Sequence, residues 1–351
     1  MVQAFGPITF GLVAFSLAAS AAGVRYAIRV AQRVGLLDVP NERSSHSLPT
    51  PRMGGVPMVA AAALAFGGWL FLAEGEISFL KGLPYTFLFA LAMFVLGFYD
   101  DLRNLSPLVR FLVQFASASL VLVFLTPYLP DVPLGKWILP GWAWVIPGAF
   151  WAVWMLNLYN FMDGIDGLAG GEAAAASSFF FLVFVYYGES GWAVANLVIA
   201  AASMGFLIYN WPPARIFMGD GGSAFLGAFY GMQSVVAVLS TPVPFPVLVL
   251  PFANFILDTT FTLFRRALRG ETWYQAHRSH FYQRMTDLGM THKKVTSIEL
   301  LVVVASCAVA AACIPAGPAT RIALVVSVVA GIACGGLWVW GKEQTPEPGR
   351  S

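Results

Sequence analysis

Residues 157–170, NLYNFMDGIDGLAG, carry four polar side chains whose oxygen atoms could bind a metal ion. These side chains, placed three residues apart, are Asn157, Asn160, Asp163 and Asp166. On an α-helix of 3.6 residues per turn the first and last would point about 180° apart, so four of them cannot share one ligand on a straight helix. Gly164 and Gly167 predict that the helix ends or tightens here, which would let several oxygens converge.

Three further aspartates lie at the ends of apolar runs. Asp100 and Asp101 occur in GFYDDLRNLSP, and Asp220 occurs in FMGDGGSAFLG. One of them alone is explained as a solvated helix cap, but a charged side chain at mid-bilayer costs about 2.5–3.5 kcal/mol, so a set of them indicates a use. Because Asp100 and Asp101 are adjacent, their directions on a helix differ by about 100°, and we expect them to have different roles.

The candidate ligands are all oxygen donors, which favours a hard cation such as Mg²⁺, or Mn²⁺ in its place, over zinc or copper. Mg²⁺ usually binds one or two protein carboxylates and takes its other ligands from water and substrate phosphates. The pattern therefore predicts a phosphorylated substrate. The backbone N–H groups of GDGGS, residues 219–223, could form a phosphate cradle; a turn with a glycine pair explains the same letters equally well.

A basic segment, YQAHRSHFYQRM, contains two of the four histidines of the chain. His277, His280 and Arg284 have the spacing i, i+3 and i+7, which predicts a shared helical face, whereas Arg278 points elsewhere. A zinc site lacks a third ligand nearby. An ordinary basic loop on anionic lipid explains the arginines but not the interleaved His, Tyr and Gln, so we favour binding of a diphosphate.

A second polar segment, DVPNERSSHSLPTPRMGG, spans residues 38–55 and consists of turn-forming and basic residues. Arg43, His46 and Arg52 lead into an apolar run. The segment is either a plain linker or a loop that contacts substrate.

The elements that must position these side chains are membrane-spanning helices. The chain has 351 residues, 58% hydrophobic and only 11% charged, whereas soluble domains carry about 25% charged residues. We therefore predict an all-α polytopic membrane protein with about eleven transmembrane helices. The apolar runs are 5–24, 55–73, 83–99, 108–126, 140–159, 171–187, 191–209, 222–240, 243–264, 297–314 and 319–341. Pro244, Pro246 and Pro251 could break the ninth run.

Positive charge is distributed unevenly between alternate loops. One side holds 17 of the 20 lysines and arginines, in segments 25–54, 100–110, 210–221 and 265–296 and the C-terminal tail. The positive-inside rule then predicts a cytoplasmic face for these loops, with the N-terminus outside and the C-terminus inside. The three cysteines lie in apolar runs without metal-binding spacing, so neither a disulfide framework nor a thiolate site is indicated.

Taken together, these motifs resemble the polyprenyl-phosphate N-acetylhexosamine-1-phosphate transferases, an integral membrane family of glycosyltransferase 4 type. The matching motifs, in chain order, are DVPNERSSHSLPTPRMGG, FYDDLRNLSPLVRFLVQ, NLYNFMDGIDGLAGG, FMGDGGSAFLG and AHRSHFYQR. The resemblance implies transfer of N-acetylhexosamine-1-phosphate from a UDP-sugar to undecaprenyl phosphate. The reaction releases UMP and initiates a lipid-linked glycan such as O-antigen.

The resemblance also implies roles for individual residues. The metal ligands would be Asp220 and Asn160. The catalytic set would be Asp100, Asp101, Asp163 and Asp166, with the Asp100–Asp101 pair at the lipid phosphate and the other two lining the nucleotide site. The substrate-binding set would be Asn157, Asn160, Asp163, Asp166, His277, Arg278, His280 and Arg284. Mg²⁺ would be the cofactor, with Mn²⁺ as a substitute.

We expect residues 1–351 to form one transmembrane catalytic domain in the bacterial inner membrane. The active-site face is expected to be cytoplasmic and built from loops 25–54, 100–107, 157–171, 210–221 and 265–296. Expected partners are undecaprenyl phosphate, a UDP-N-acetylhexosamine and membrane lipids, without nucleic acid; a homodimer is compatible with the sequence.

Three alternatives remain open at the level of the sequence. The donor sugar can be N-acetylglucosamine or a 6-deoxy sugar such as N-acetylfucosamine or N-acetylquinovosamine, because HRSHFYQR is less His-rich than the last motif of many family members. A phospho-N-acetylmuramyl-pentapeptide transferase is a second possibility. An ion-coupled transporter, which predicts charges near span midpoints and two repeated halves, is the third.

Overall fold

The computed structural model describes residues 6–40, 48–72, 82–134, 137–272 and 277–344, and these residues fold almost entirely into helices. The α-helices are α1 Pro7–Val34, α2 Gly55–Leu72, α3 Leu83–Arg103, α4 Pro107–Leu125, α5 Val145–Met162, α6 Leu168–Tyr186, α7 Ser190–Asn210, α8 Asp220–Ser240, α9 Phe245–Val249, α10 Ala253–Leu268, α11 Phe281–Asp287, α12 His292–Ala312 and α13 Pro318–Gln344. Two short antiparallel pairs lie in loops: β1 Leu37–Asp38 with β2 Thr50–Pro51, and β3 Val132–Leu134 with β4 Trp137–Leu139. The predicted all-α class is confirmed.

Ten helical segments within the described residues are long and apolar enough to cross a membrane, with α9 and α10 forming one of them. The predicted run 140–159 corresponds to α5, which is not among the ten; Asn157 and Asn160 make it more polar. Helix α5 nevertheless packs along α8, since Leu156, Ala152 and Gly148 meet successive turns of α8 at residues 227, 231 and 235, and its crossing of the membrane stays a prediction. Helices α5 and α8 are therefore antiparallel along most of their length.

Helix α8 is the centre of the bundle and is buried on nearly every side. Its Gly222, Gly227 and Gly231 allow neighbouring helices to approach closely. A Cβ on Gly227 would lie 2.7 Å from the Cα of Leu156, and a Cβ on Gly231 would lie 2.9 Å from the carbonyl oxygen of Ala152. Small residues at helix crossings are the usual solution in membranes, where apolar burial does not drive helices together. The packing fixes the position of Asp220, the first residue of α8.

The prolines divide the ninth predicted span as expected. Helix α9 ends at Val249, a 3₁₀ turn covers Leu250–Phe252, and α10 begins at Ala253. This break sets the direction of α10, which carries Asp258.

Residues 48–55 of the polar segment lie beside the start of α8. Of its basic residues, Arg43 and His46 lie outside the described residues. The N–H groups of Gly54 and Gly55 donate to the carbonyl oxygens of Phe217 and Met218, each at 2.8 Å. The Phe217 N–H in turn donates to the Pro51 carbonyl at 2.8 Å. These bonds hold Arg52 close to the acidic residues described next.

Candidate active site

The polar stretch 157–170 ends a helix, as its glycines predict. Helix α5 stops at Met162, Asp163 follows as its C-cap, and Gly167 has a φ of 76° before α6 begins. The Asn160 amide donates to the Ser223 Oγ at 2.9 Å and also interacts with the Asp220 carboxylate. The end of α5 is therefore joined to the start of α8.

Three carboxylates from different helices lie near one another at this junction: Asp101, Asp163 and Asp220. Burial, followed by the negative charges of Asp220 and Asp101, raises the pKa of Asp163 well above its ordinary value. The Asp101 Oδ2 accepts a hydrogen bond from the Gly221 N–H at 3.3 Å. Like charges this close disfavour one another, so the cluster attracts a cation.

Asp100 has a different role from Asp101, as their adjacency predicts. Its Oδ1 accepts from the Leu105 N–H at 2.6 Å, and its Oδ2 binds the Arg110 guanidinium. Arg110 Nη1 also lies 3.8 Å from Asp220 Oδ2. Asp100 thus positions a guanidinium beside the cluster. The sequence motif FYDDLRNLSPLVRFLVQ contains Arg110, but only the turn between α3 and α4 shows which carboxylate it meets.

The GDGGS stretch allows close packing of helices. The structure therefore favours a turn with a glycine pair over a phosphate cradle. The Gly221 N–H is bound to Asp101, and the Gly222 N–H donates to the Gly219 carbonyl at 3.1 Å. A Cβ on Gly55 would lie 2.5 Å from the Cα of Gly222. The glycines let α2 touch α8, and these N–H groups already have partners.

The basic segment docks on the end of α5. The predicted shared helical face is wrong, because α11 begins only at Phe281 and the two histidines precede it. The rings of His277 and His280 nevertheless stack, with centroids 4.9 Å apart, and both lie against the Phe161 ring. Tyr282 Oη donates to the Phe161 carbonyl at 2.9 Å. Phe161 lies between Asn160 and Asp163 in sequence, so the histidines lie against the end of the helix that leads into the acidic cluster.

Asp258, buried on α10, anchors the segment that carries the histidines. Its carboxylate accepts hydrogen bonds from the Phe281 N–H at 3.0 Å and the Tyr282 N–H at 3.3 Å. Its Oδ1 also lies 3.2 Å from the His280 Nδ1 and accepts from the Thr262 hydroxyl at 3.1 Å. Asp258 therefore caps α11 and fixes the His280 ring.

His277 is a neutral side chain at pH 7. Burial, and then the neighbouring His280 and arginines, lowers the pKa of His277 to about 4. Its Nδ1 lies 2.9 Å from the Ser279 Oγ, while its Nε2 is buried with no hydrogen-bond partner in the described part of the chain. A buried polar atom without a partner is costly, so Nε2 is the atom of this segment best suited to meet a ligand.

Two predicted residues of the 157–170 stretch are held away from the cluster. The Asn157 amide donates to Gln114 Oε1 at 2.8 Å. Asp166 Oδ2 accepts from the Ala214 N–H at 2.9 Å, and its Oδ1 lies 3.2 Å from the His292 Nδ1. Their roles in substrate binding remain predictions, because both side chains here join helices or loops.

The two predicted arginines also bind acidic partners. Arg278 Nη2 lies 2.9 Å from Asp287 Oδ1. The Arg284 guanidinium is buried and binds both carboxylate oxygens of Glu343 on α13, which locks the last helix onto α11. Neither contact was foreseen from the sequence, since the partners are on separate elements.

The fold and this arrangement define a class, an integral membrane protein with an acidic, histidine-flanked site at one end of its helices. Residues 83–238, which include every residue of the acidic cluster, match the model of glycosyl transferase family 4. A probable undecaprenyl-phosphate N-acetylglucosaminyl 1-phosphate transferase of Bacillus subtilis is 31% identical over 281 residues, covering 76% of this chain and 74% of the relative. The chain belongs to this family of polyprenyl-phosphate sugar-1-phosphate transferases.

Other relatives have similar names and lengths. A decaprenyl-phosphate N-acetylglucosaminephosphotransferase of Mycobacterium tuberculosis is 30% identical over 306 residues, 77% of this chain and 73% of that protein. An undecaprenyl-phosphate alpha-N-acetylglucosaminyl 1-phosphate transferase of Escherichia coli K12 is 26% identical over 281 residues, 77% of this chain and 74% of that protein. These names favour a transferase over the transporter alternative.

Proposed function

We propose that this protein transfers N-acetylhexosamine-1-phosphate from a UDP-sugar to undecaprenyl phosphate, releasing UMP and starting a lipid-linked glycan. The observation that carries the proposal is the acidic cluster of Asp101, Asp163 and Asp220 beside Arg110, with the His277–His280 segment docked next to it. The names of the relatives support a polyprenyl phosphate as acceptor and N-acetylglucosamine as the sugar to test first.

The donor set fits Mg²⁺. Among the described residues, no group of three or more His, Cys, Asp or Glu side chains is arranged to enclose a metal ion alone. Such enclosure is not required, because Mg²⁺ commonly binds one or two protein carboxylates and shares substrate phosphates. Asp220, with the Asn160 amide beside it, would hold the ion, and the ion would supply positive charge to the donor diphosphate.

The reaction forms one P–O bond and breaks another. A phosphate oxygen of the acceptor attacks the β-phosphorus of the donor, and the bond from that phosphorus to the bridging oxygen breaks, so that oxygen leaves with UMP. Charge balances without a proton, because the acceptor, whose second pKa is about 6, is mostly dianionic at neutral pH. Catalysis then depends on positioning and charge neutralisation rather than on a base.

Different residues of this chain supply the positioning and the charge neutralisation. Arg110 neutralises phosphate charge beside Asp220, and Asp100 orients Arg110. With both oxygens engaged, Asp100 is better suited to positioning than to abstracting a proton. The unpartnered Nε2 of His277 donates to a diphosphate oxygen in the tautomer that carries the proton there.

The proposed site faces the cytoplasm of a bacterial inner membrane. The loops on that side, together with the C-terminal tail, hold 17 of the 20 lysines and arginines in the chain, which is the bias of cytoplasmic segments. UDP-sugars are cytoplasmic, so the donor reaches the site directly from that side.

The test is UMP release by the purified protein with undecaprenyl phosphate, Mg²⁺ and a panel of UDP-sugars: N-acetylglucosamine, N-acetylfucosamine, N-acetylquinovosamine and N-acetylmuramyl-pentapeptide. We expect UMP release with an N-acetylhexosamine donor, and its loss on chelation of Mg²⁺. Asp220→Asn serves as the inactive control. Release only with the pentapeptide donor would move the assignment to the peptidoglycan reaction, and release with none would remove the proposal.

A further inference from the structure

Apart from the candidate active site, a polar cavity of about 430 Å³ lies between the end of α1, residues 48–51 and residues 214–215. Its polar lining includes Arg25, Arg29, Gln32, Thr50 and Arg215. Asp100, Asp101, Asn160, Asp163 and Asp220 do not line it. The cavity is thus separate from the acidic site and opposite to it in charge.

The three guanidinium groups of this cavity have no acidic partner in the described chain. The ion pairs found in the described chain involve arginines and histidines that do not line the cavity. Arg25 and Arg29 are four residues apart, so they lie one above the other on the same face of α1, where like charges disfavour a helix. Arg215 lies over the Tyr209 ring at 5.5 Å, which orients it. Converging cations of this kind favour an anionic ligand.

The depth of the cavity along α1 places it at the surface of the bilayer. Helix α1 has 28 residues and a length of about 42 Å, whereas the hydrocarbon core is about 30 Å thick and is crossed in about 20 residues. A crossing that begins near Pro7 ends near Tyr26. Arg25 then lies at the hydrocarbon boundary, and Arg29 and Gln32 lie at the level of the phosphate groups.

The walls of the cavity continue into the candidate active site. The Pro51 carbonyl accepts a hydrogen bond from the Phe217 N–H at 2.8 Å. The guanidinium of the next residue, Arg52, donates to the Asp101 carbonyl at 2.9 Å. On the other wall, the Ala214 N–H donates a hydrogen bond to Asp166 Oδ2. A ligand between these walls would brace both loops without touching the acidic cluster.

We propose that this cavity is a phosphate-binding site that accepts an anionic phosphate ester, either the headgroup of a phospholipid or a soluble phosphate. Arg25 and Arg29 from α1 and Arg215 from the opposite wall bind the phosphate oxygens, and the Gln32 amide supplies a neutral hydrogen bond. The positive-inside bias alone accounts for arginines at this end of α1. It does not account for a concave site that those arginines share with Arg215 and the Gln32 amide. The proposal does not depend on the transferase reaction.

The experiment compares the full-length protein with Arg25→Gln/Arg29→Gln and with Arg215→Gln in nanodiscs. Arg33→Gln is the matched control, because Arg33 lies on the last turn of α1 but does not line the cavity. In the lipid arm, native mass spectrometry measures phosphatidylglycerol retained from discs of phosphatidylcholine and phosphatidylglycerol. In the soluble arm, binding of radiolabelled inorganic phosphate is measured in discs of phosphatidylcholine alone.

We expect the wild type and Arg33→Gln to bind the phosphate ligand in one of the arms, and both cavity variants to lose about tenfold in affinity or retention. Retention of phosphatidylglycerol alone identifies a lipid headgroup, and saturable phosphate binding identifies a soluble ester. No binding in either arm, or equal loss in Arg33→Gln, overturns the proposal. Because Arg25 and Arg215 are on different elements, a folding defect in one variant leaves the other as a test.

UMP release is measured on the same preparations to keep the two proposals separate. Binding of phosphate by a protein that releases no UMP would remove the transferase proposal and leave this one. UMP release without phosphate binding would remove the phosphate-site proposal and leave the transferase proposal.

Discussion

At the scale of single residues, the paired aspartates make different contacts, because adjacent side chains on a helix point in different directions. Asp100 is buried, and both of its carboxylate oxygens accept hydrogen bonds, one from the α3–α4 turn and one from Arg110. Asp101 faces Gly221 and the acidic cluster. The first is a positioning residue, and the second contributes charge to the site.

Removing either member of the Asp100–Arg110 pair should have nearly the same effect on kcat/KM as removing both. We expect Asp100→Asn and Arg110→Gln to be non-additive, with a coupling energy of about 1–3 kcal/mol in a double-mutant cycle of UMP release. Arg103→Gln, an arginine of the last turn of α3, should change little. Additive losses would show that Asp100 acts independently of Arg110, for example as a base.

Asp258 should matter to both folding and activity. Asp258→Asn removes an anion that accepts four hydrogen bonds around the start of α11, so we expect a loss of about 1–3 kcal/mol in the free energy of unfolding and about tenfold in kcat/KM. Asp220→Asn should cost at least about a hundredfold in kcat/KM without lowering stability, since it relieves repulsion. Thermal unfolding and UMP release measure the two effects. Equal kinetic losses would contradict this ranking.

The sequence predicts which residue types gather at the site but not which side chains they meet. Five aspartates were expected at one face: Asp100, Asp101, Asp163, Asp166 and Asp220. The structure brings Asp101, Asp163 and Asp220 near one another, whereas Asp166 contacts Ala214 and His292. The contact of Arg110 with Asp100 and that of Asp258 with the start of α11 were not predicted, because each joins separate helices. No spacing within one segment records such a contact.

At the scale of helices, close packing and the site are coupled through the start of α8. Gly97 of α3 faces the backbone of Asp220, so that a Cβ there would lie 2.5 Å from the Asp220 carbonyl oxygen. A backbone atom cannot turn aside as a flexible side chain can. Any residue larger than glycine at position 97 must move the N-terminus of α8, and Asp220 with it.

Gly97→Ala should therefore lower stability and activity together. We expect a loss of about 1–3 kcal/mol in the free energy of unfolding, as for other overpacked sites, and a lower kcat for UMP release. Gly67→Ala is the matched control, because a Cβ on Gly67 of α2 would meet nothing within 4 Å. It should be neutral or stabilising by about 0.5–1 kcal/mol. If both variants behave alike, the crossing of α3 and α8 does not set the position of Asp220.

Helix existence could be predicted from the sequence, whereas helix boundaries depended on distant contacts. Long apolar runs require helices in a membrane, because the backbone must satisfy its own hydrogen bonds there. The start of α11 could not be predicted from periodicity, since Asp258, 23 residues before Phe281, caps it. Without that contact, His277, His280 and Arg284 were wrongly expected on one helical face.

At the scale of the whole molecule, the contacts gather the candidate site at one end of the helices. Arg52 meets Asp101, Asn160 meets Ser223, and Tyr282 meets Phe161. These residues belong to four of the five loops that were expected to form the active-site face and to the first turn of α8. If α5 also crosses the membrane, as the sequence predicts, the crossings number eleven and the two termini are predicted to lie on opposite sides.

The orientation can be tested by cysteine labelling in intact cells. In a variant whose Cys307, Cys313 and Cys334 are replaced by serine, single cysteines are introduced as Lys293→Cys in the first turn of α12 and Gly317→Cys between α12 and α13. Both positions are exposed. Because the basic loops are predicted to be cytoplasmic, we expect a membrane-impermeant maleimide to label position 317 in intact cells and position 293 only after permeabilisation. The opposite pattern would place the acidic site outside the cell, away from UDP-sugars, and would be incompatible with the proposed donor.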